Sequence, residues 1–131
     1  MRKLFVGSFL AMCFCASAQK PQMINTLEIE PGGTGLTSKN LFNDSLCSSF
    51  CLIIKNEVKG HKHMKHSEHV IVQSGEGVMR MGEKEFTIKE GDVIFIPKGT
   101  VHSVIVKGKK PLKVLSIQSP YFNGDDRVMV E

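Results

Sequence analysis

From residue 50 onward the apolar positions fall in short runs separated by glycine, proline and charged residues. Residues 50–54 are continuously apolar, which predicts a strand buried on both faces. Val70-Ile71-Val72 leads into Gly75-Glu76-Gly77, and 78–81 leads into Gly82-Glu83-Lys84. Phe86-Thr87-Ile88 runs into Glu90-Gly91-Asp92, and 93–96 stops at Pro97-Lys98-Gly99. Residues 101–106 precede Gly108-Lys109-Lys110-Pro111, 112–117 stop before Pro120, and 128–130 form a last short run. Turn residues at this spacing, with no helical period between them, predict an all-β sandwich or barrel in a single domain.

The first 45 residues read differently. Met1-Arg2-Lys3 opens an apolar run that reaches Cys15 and passes into Ala16-Ser17-Ala18-Gln19. A basic start, a short apolar stretch and small residues before a break predict a secretory signal peptide over 1–18, cleaved near Ala18, and hence a periplasmic or secreted protein. A lipid anchor on Cys13 or Cys15 is disfavoured, because Met12 and Phe14 precede those cysteines where a small residue belongs. The run is too short to predict a membrane span. Residues 19–45 predict an arm or outer strand, with the alternating stretch Thr26-Leu27-Glu28-Ile29-Glu30 as an edge strand ended by Pro31-Gly32-Gly33. The barrel is assigned to 46–131.

Loss of Arg2 and Lys3 with the leader takes 17 basic residues to 15 against 13 acidic ones, a net charge of +2. That balance, scattered lysines and the lack of tryptophan argue against nucleic acid as a partner. Two cysteines remain, Cys47 and Cys51. On a straight strand their Cα atoms stand about 13 Å apart, so a disulfide requires a turn at Ser48-Ser49. Buried thiols on one strand face are the equal alternative, and a bridge between subunits a third.

All five histidines fall in two places: His61, His63, His66 and His69 within nine residues, and His102 far beyond them. Two histidines at i, i+2 on a strand share a face and can grip one ion. Imidazoles with a nearby carboxylate, here Glu68, suit a divalent transition metal: iron, manganese, nickel, zinc or copper. A lone His-Lys-His is a weak signal, and Lys62 and Lys65 mark part of this stretch as wet. The spacing of the surrounding residues strengthens it.

That spacing resembles the two motifs of the cupin superfamily, in its small single-domain form. His61-Lys62-His63, then Glu68, then Gly75 follow the first motif, although Lys55 holds its leading glycine position and Gly60 stands directly before His61. Gly91, Pro97, Gly99 and His102 follow the second motif, with Val106 in place of its closing asparagine. The resemblance covers roughly residues 46–120. It implies a double-stranded β-helix, or jelly-roll barrel, with one divalent metal ion on His61, His63, Glu68 and His102, two coordination positions left open, and a homodimer.

Strand parity then predicts Val70, Val72, Val104 and Val106 as an apolar pocket wall, with either Met79 and Met81 or Val78 and Arg80 facing inward beside them. His66, Arg80, Gln118 and Tyr121 are candidates for the pocket rim; His66 is also an alternative ligand, and His69 is expected to face outward. These features support a metal-dependent enzyme on a small polar molecule, with the metal as Lewis acid, in dioxygenase or sugar-acid isomerase and lyase chemistry. No catalytic residue beyond the ligands is assigned. A non-catalytic module for a small ligand or metal is the alternative, and metal handling by several thiol and imidazole groups is a more distant one.

Overall fold

The computed structural model describes residues 22–130. The segment read as a signal peptide lies outside the described residues. Ten strands follow one another: β1 (Leu36–Asn43), β2 (Ser48–Ile54), β3 (Glu57–Lys62), β4 (Ser67–Ser74), β5 (Glu76–Met81), β6 (Lys84–Lys89), β7 (Val93–Ile96), β8 (His102–Val106), β9 (Leu112–Ser119) and β10 (Val128–Met129). They form two five-stranded antiparallel sheets, ordered β1-β2-β9-β4-β7 and β10-β3-β8-β5-β6. Successive strands cross between the sheets, as a jelly-roll requires, and no helix among the described residues is long and apolar enough to cross a membrane.

The two sheets share one apolar core. Ile54, Val70, Val72, Ile96, Leu112 and Val114 come from the first sheet, and Met79, Ile88 and Val104 from the second. Val106 packs against the margin of this cluster. Met79 is the inward residue of β5, so Arg80 points out. Alternation along each inward face has a second consequence. On β9 the buried positions run Leu112, Val114, Ser116, Gln118. On β4 they run Val72, Val70, Glu68, and on β8 Val104 then His102. The barrel interior is therefore apolar at one end and polar at the other.

Two expectations for the N-terminal part are corrected. Thr26–Glu28 is a 3-10 turn, not an edge strand. The Asn25 side chain accepts a hydrogen bond from the Leu27 N–H at 3.1 Å, and the Asn25 and Thr26 carbonyls accept from Glu28 and Ile29. These local bonds satisfy the backbone without a sheet partner. Ile29 beyond the turn packs on Cys51 and Ile53, which face outward from β2, in a small second cluster. The Cys47–Cys51 bridge is likewise excluded. Ser48 and Ser49 pair in straight register with Gln118 and Ile117 of β9, so the turn a bridge needs is absent and both thiols are free. Burial pushes the Cys51 thiol up from its ordinary pKa.

The β4–β5 connection depends on one glycine. Gly75 has φ +87°, and a Cβ there would lie 2.5 Å from the Pro111 carbonyl oxygen. Gly82 also has positive φ, +59°, but opens onto free space. Gly75→Ala should therefore cost about 3 kcal/mol in a denaturant melt against about 1 for Gly82→Ala. Equal costs would show that the contact with Pro111 is not limiting.

Candidate metal centre

The polar end of the barrel gathers the sequence's candidates. His61 is on β3 and His102 opens β8, paired directly in register. His63 lies just past the end of β3, where the chain crosses toward β4 and Glu68. Gly99 of the Pro-x-Gly turn donates its N–H to the His63 carbonyl at 2.6 Å, with φ +79° that favours glycine. The two sequence motifs thus touch through the backbone. One ligand atom from each of His61, His63 and His102 lies within 4.8 Å of the other two, and all three residues are buried.

The ring orientations are fixed from behind. His61 Nδ1 faces the Lys59 carbonyl at 2.9 Å, His102 Nδ1 faces the Thr100 carbonyl at 3.0 Å, and His63 Nδ1 faces the Asp126 carbonyl. A carbonyl only accepts, so each Nδ1 carries the hydrogen and each Nε2 offers a lone pair. This is the outer-shell arrangement that prepares imidazoles for a metal ion. Burial, His102 and, more weakly, Arg127 and His63 hold the His61 ring down to about 4, although its contact with the Lys59 carbonyl works the other way.

Glu68 stands among them with only 5% of its surface exposed. Its Oε2 is 3.3 Å from His102 Nε2 and 3.7 Å from His63 Nε2. Its Oε1 accepts a hydrogen bond from the Ser116 hydroxyl. Burial alone would raise this carboxyl, but the adjoining His102 ring and the Ser116 hydroxyl outweigh it and leave the group below its ordinary value. Lone pairs on Oε2 and Nε2 repel at such distances unless a proton or a cation lies between them. No lysine or arginine forms an ion pair with Glu68 among the described residues. Three neutral imidazoles and one buried carboxylate fit a divalent transition ion in donor type, charge and seclusion.

A second layer supports the first, and the sequence reading missed it. Asp126, 5% exposed, accepts from the backbone N–H groups of Met64 at 2.9 Å and Lys65 at 2.7 Å. Its Oδ2 also bonds His66 Nδ1 at 2.6 Å, while His66 Nε2 bonds the Tyr121 carbonyl at 2.9 Å. Both nitrogens of His66 are thereby engaged. His66 is a buried brace and neither a rim residue nor a spare ligand. Phe122 sets its ring edge-on to both His63 and His66, at centroid distances of 5.5 and 5.1 Å. Burial alone would raise Asp126, but His66 and the two N–H groups bring it down to about 2.

The other rim candidates divide. Gln118 is buried beside Glu68 and lines the cavity. Arg80 is exposed on the outer face of β5, its Nε donating to the Gly82 carbonyl, and takes no part. Tyr121 contributes its carbonyl while its side chain is 46% exposed, and the next residue, Phe122, is the one that lines the cavity. His69 faces outward onto Phe95. Arg127, not foreseen from the sequence, reaches the cavity from its exposed position ahead of β10. The cavity measures about 150 Å³ and runs from the histidines down to the apolar residues of the core.

Comparison with known proteins agrees with this geometry. A family model described as a cupin domain matches residues 51–118. An uncharacterised protein of Methanocaldococcus jannaschii is 34% identical over 71 residues, which is 54% of this chain and 57% of that one. Mannose-1-phosphate guanylyltransferase of Salmonella typhimurium is 35% identical over 81 residues, 60% of this chain but 17% of the enzyme. The chain thus spans about half of the first relative and a sixth of the second. A solved structure from Klebsiella pneumoniae, described as having a double-stranded β-helix domain, superposes with a TM-score of 0.74 at 19% identity, covering 86% of this chain and 99% of that one.

The Asp126 brace carries a pH signature. Its carboxyl titrates near 2 when folded against an ordinary 3.8, so the stability it confers is full above about pH 4 and is lost as the pH falls through about 2. Asp126→Asn should lower the melting temperature at pH 7 by on the order of 5 °C, and the gap to the wild-type protein should narrow between pH 4 and pH 2. A gap that is constant with pH would contradict the assignment.

Proposed function

The chain belongs to the cupin family, and from that premise we propose that it holds one divalent transition metal ion on His61, His63, Glu68 and His102 and acts there on a small polar molecule. The observation that carries this reading is the set of three Nδ1 atoms tied to carbonyls, which turns three Nε2 lone pairs toward a buried carboxylate. When bound, such an ion supplies Lewis-acid polarisation of a ligand oxygen. The chain's own side chains do the rest. Ser116 fixes the Glu68 carboxylate, Phe122 screens the histidines, and the apolar walls keep the lower cavity dry.

One observation bears on catalysis. Apart from the four ligand residues and Arg127, no acidic, basic or imidazole side chain lines the cavity among the described residues. His66, which could have moved protons, is occupied by Asp126 and Tyr121. The enzymatic reading therefore narrows to chemistry that needs no side-chain base, and oxygen-dependent reactions fit that condition better than isomerisation or elimination on sugar acids. The same observation supports the second reading, a module that binds a small ligand without turning it over. We place the mature protein outside the cytoplasm on the strength of the Met1–Ala18 pattern, and as a homodimer because Val93 and Phe95 stand exposed on β7 at a sheet edge.

Elemental analysis of protein purified without a metal-affinity tag should return about one transition ion per chain, and His102→Ala should lose most of it while His69→Ala keeps it. Chelation should lower the melting temperature, by an amount corresponding to about 2.7 kcal/mol if free metal stood at a hundred times its dissociation constant. Equal metal loss in the two variants would refute the ligand set. With iron bound, oxygen uptake on candidate substrates separates the enzyme from the binding module.

A further inference from the structure

Two polar side chains at the open end of the barrel are used by neither the donor set nor the fold. Gln118 sits on β9 in register with Glu68, is 6% exposed and lines the cavity. Its Oε1 is buried and has no hydrogen-bond partner among the described residues. Folded proteins rarely leave such an atom unpaired unless a ligand or water completes it. Arg127 lines the same cavity from the opposite sheet, directly before β10, whose Val128 pairs with Lys62 beside His61. Its guanidinium makes no ion pair among the described residues. The two side chains therefore flank the histidines and Glu68 from the two sheets.

Their chemistries differ in a way that selects a ligand. A free guanidinium beside a cavity of low polarity recognises a carboxylate by paired N–H donors. A buried amide meets a hydroxyl, which can donate or accept whichever way the amide is turned. The cavity of about 150 Å³ is walled mostly by aliphatic side chains such as Leu52, Ile54, Val70 and Met79, and an apolar space of that size takes a body no larger than a benzene ring. We infer that Arg127 and Gln118 are the ligand-selecting residues of this site, Arg127 taking a carboxylate at the mouth and Gln118 a hydroxyl within, so that the ligand class is a small hydroxycarboxylic acid with a short apolar tail. This rests on the metal reading above, since the same hydroxyl approaches the donor set.

Calorimetry on the metal-loaded full-length protein tests it with three probes: 2-hydroxybutyrate, its uncharged amide 2-hydroxybutanamide, and butyrate, which lacks the hydroxyl. The wild-type protein should prefer 2-hydroxybutyrate over each of the other two by about tenfold or more. Arg127→Gln, at an exposed position, should erase the preference over the amide and leave the preference over butyrate. Gln118→Leu should reduce the preference over butyrate several-fold without lowering the melting temperature, because it removes a polar atom that had no partner. Metal content should be unchanged in both variants. Full metal occupancy with no discrimination in the wild-type protein, or with discrimination untouched in Arg127→Gln, overturns this inference alone. A wild-type protein that takes up no metal overturns the metal reading and the inference with it.

Discussion

A carboxylate that is buried without a cationic side chain to neutralise it sets the terms for this barrel. Glu68 lies inside the polar end, with one oxygen on the Ser116 hydroxyl and the other against two imidazoles whose outer nitrogens already hold their hydrogens. Removing a charge from water costs several kcal/mol unless it is paired, and breaking such a pairing is costlier than never having built it. A divalent ion shared with His61, His63 and His102 resolves this with one bond to each ligand. The gradient along β4, β8 and β9 follows from it, because valines and leucines can fill one end only if every polar residue is gathered at the other.

The constraint extends outward to residues that never meet the ion. His63 is aimed by the Asp126 carbonyl, and Asp126 is itself anchored by His66 and by the N–H groups of Met64 and Lys65. The segment around residues 121–127 is thereby fastened across the metal end, with Phe122 against the rings and Arg127 at the cavity. The C-terminal segment thus serves the site as much as the strands that carry the ligands. It also makes His66 structural, which removes the one side chain that stood ready to carry a proton and so limits the chemistry the site can support.

What could be read from the sequence was what short-range patterns encode. The turn residues Gly91, Pro97 and Gly99, the strand parity of Val70, Val72 and Val104, and the i, i+2 spacing of His61 and His63 are local signals, and each led to the right neighbourhood. Long-range partnerships had no such signal. Asp126 sits in a polar run, Asn123 to Arg127, that reads as a solvated loop, and nothing in it marks a contact with residues some sixty positions earlier. The parity of β5 was ambiguous because Val78, Met79, Arg80 and Met81 offer an apolar residue on either face. The alternation of Thr26 to Glu30 misled because Asn25 captures the turn locally before a sheet can.

X-ray absorption at the metal edge of the loaded protein addresses the central claim most directly, since it reports the ligands rather than the occupancy. The account predicts a first shell of nitrogen and oxygen donors with the multiple-scattering signature of three imidazoles, falling to two in His102→Ala. A shell with one imidazole or none, or with sulfur from Cys47 or Cys51, would mean that the ion binds elsewhere and that the buried Glu68 is neutralised in some other way.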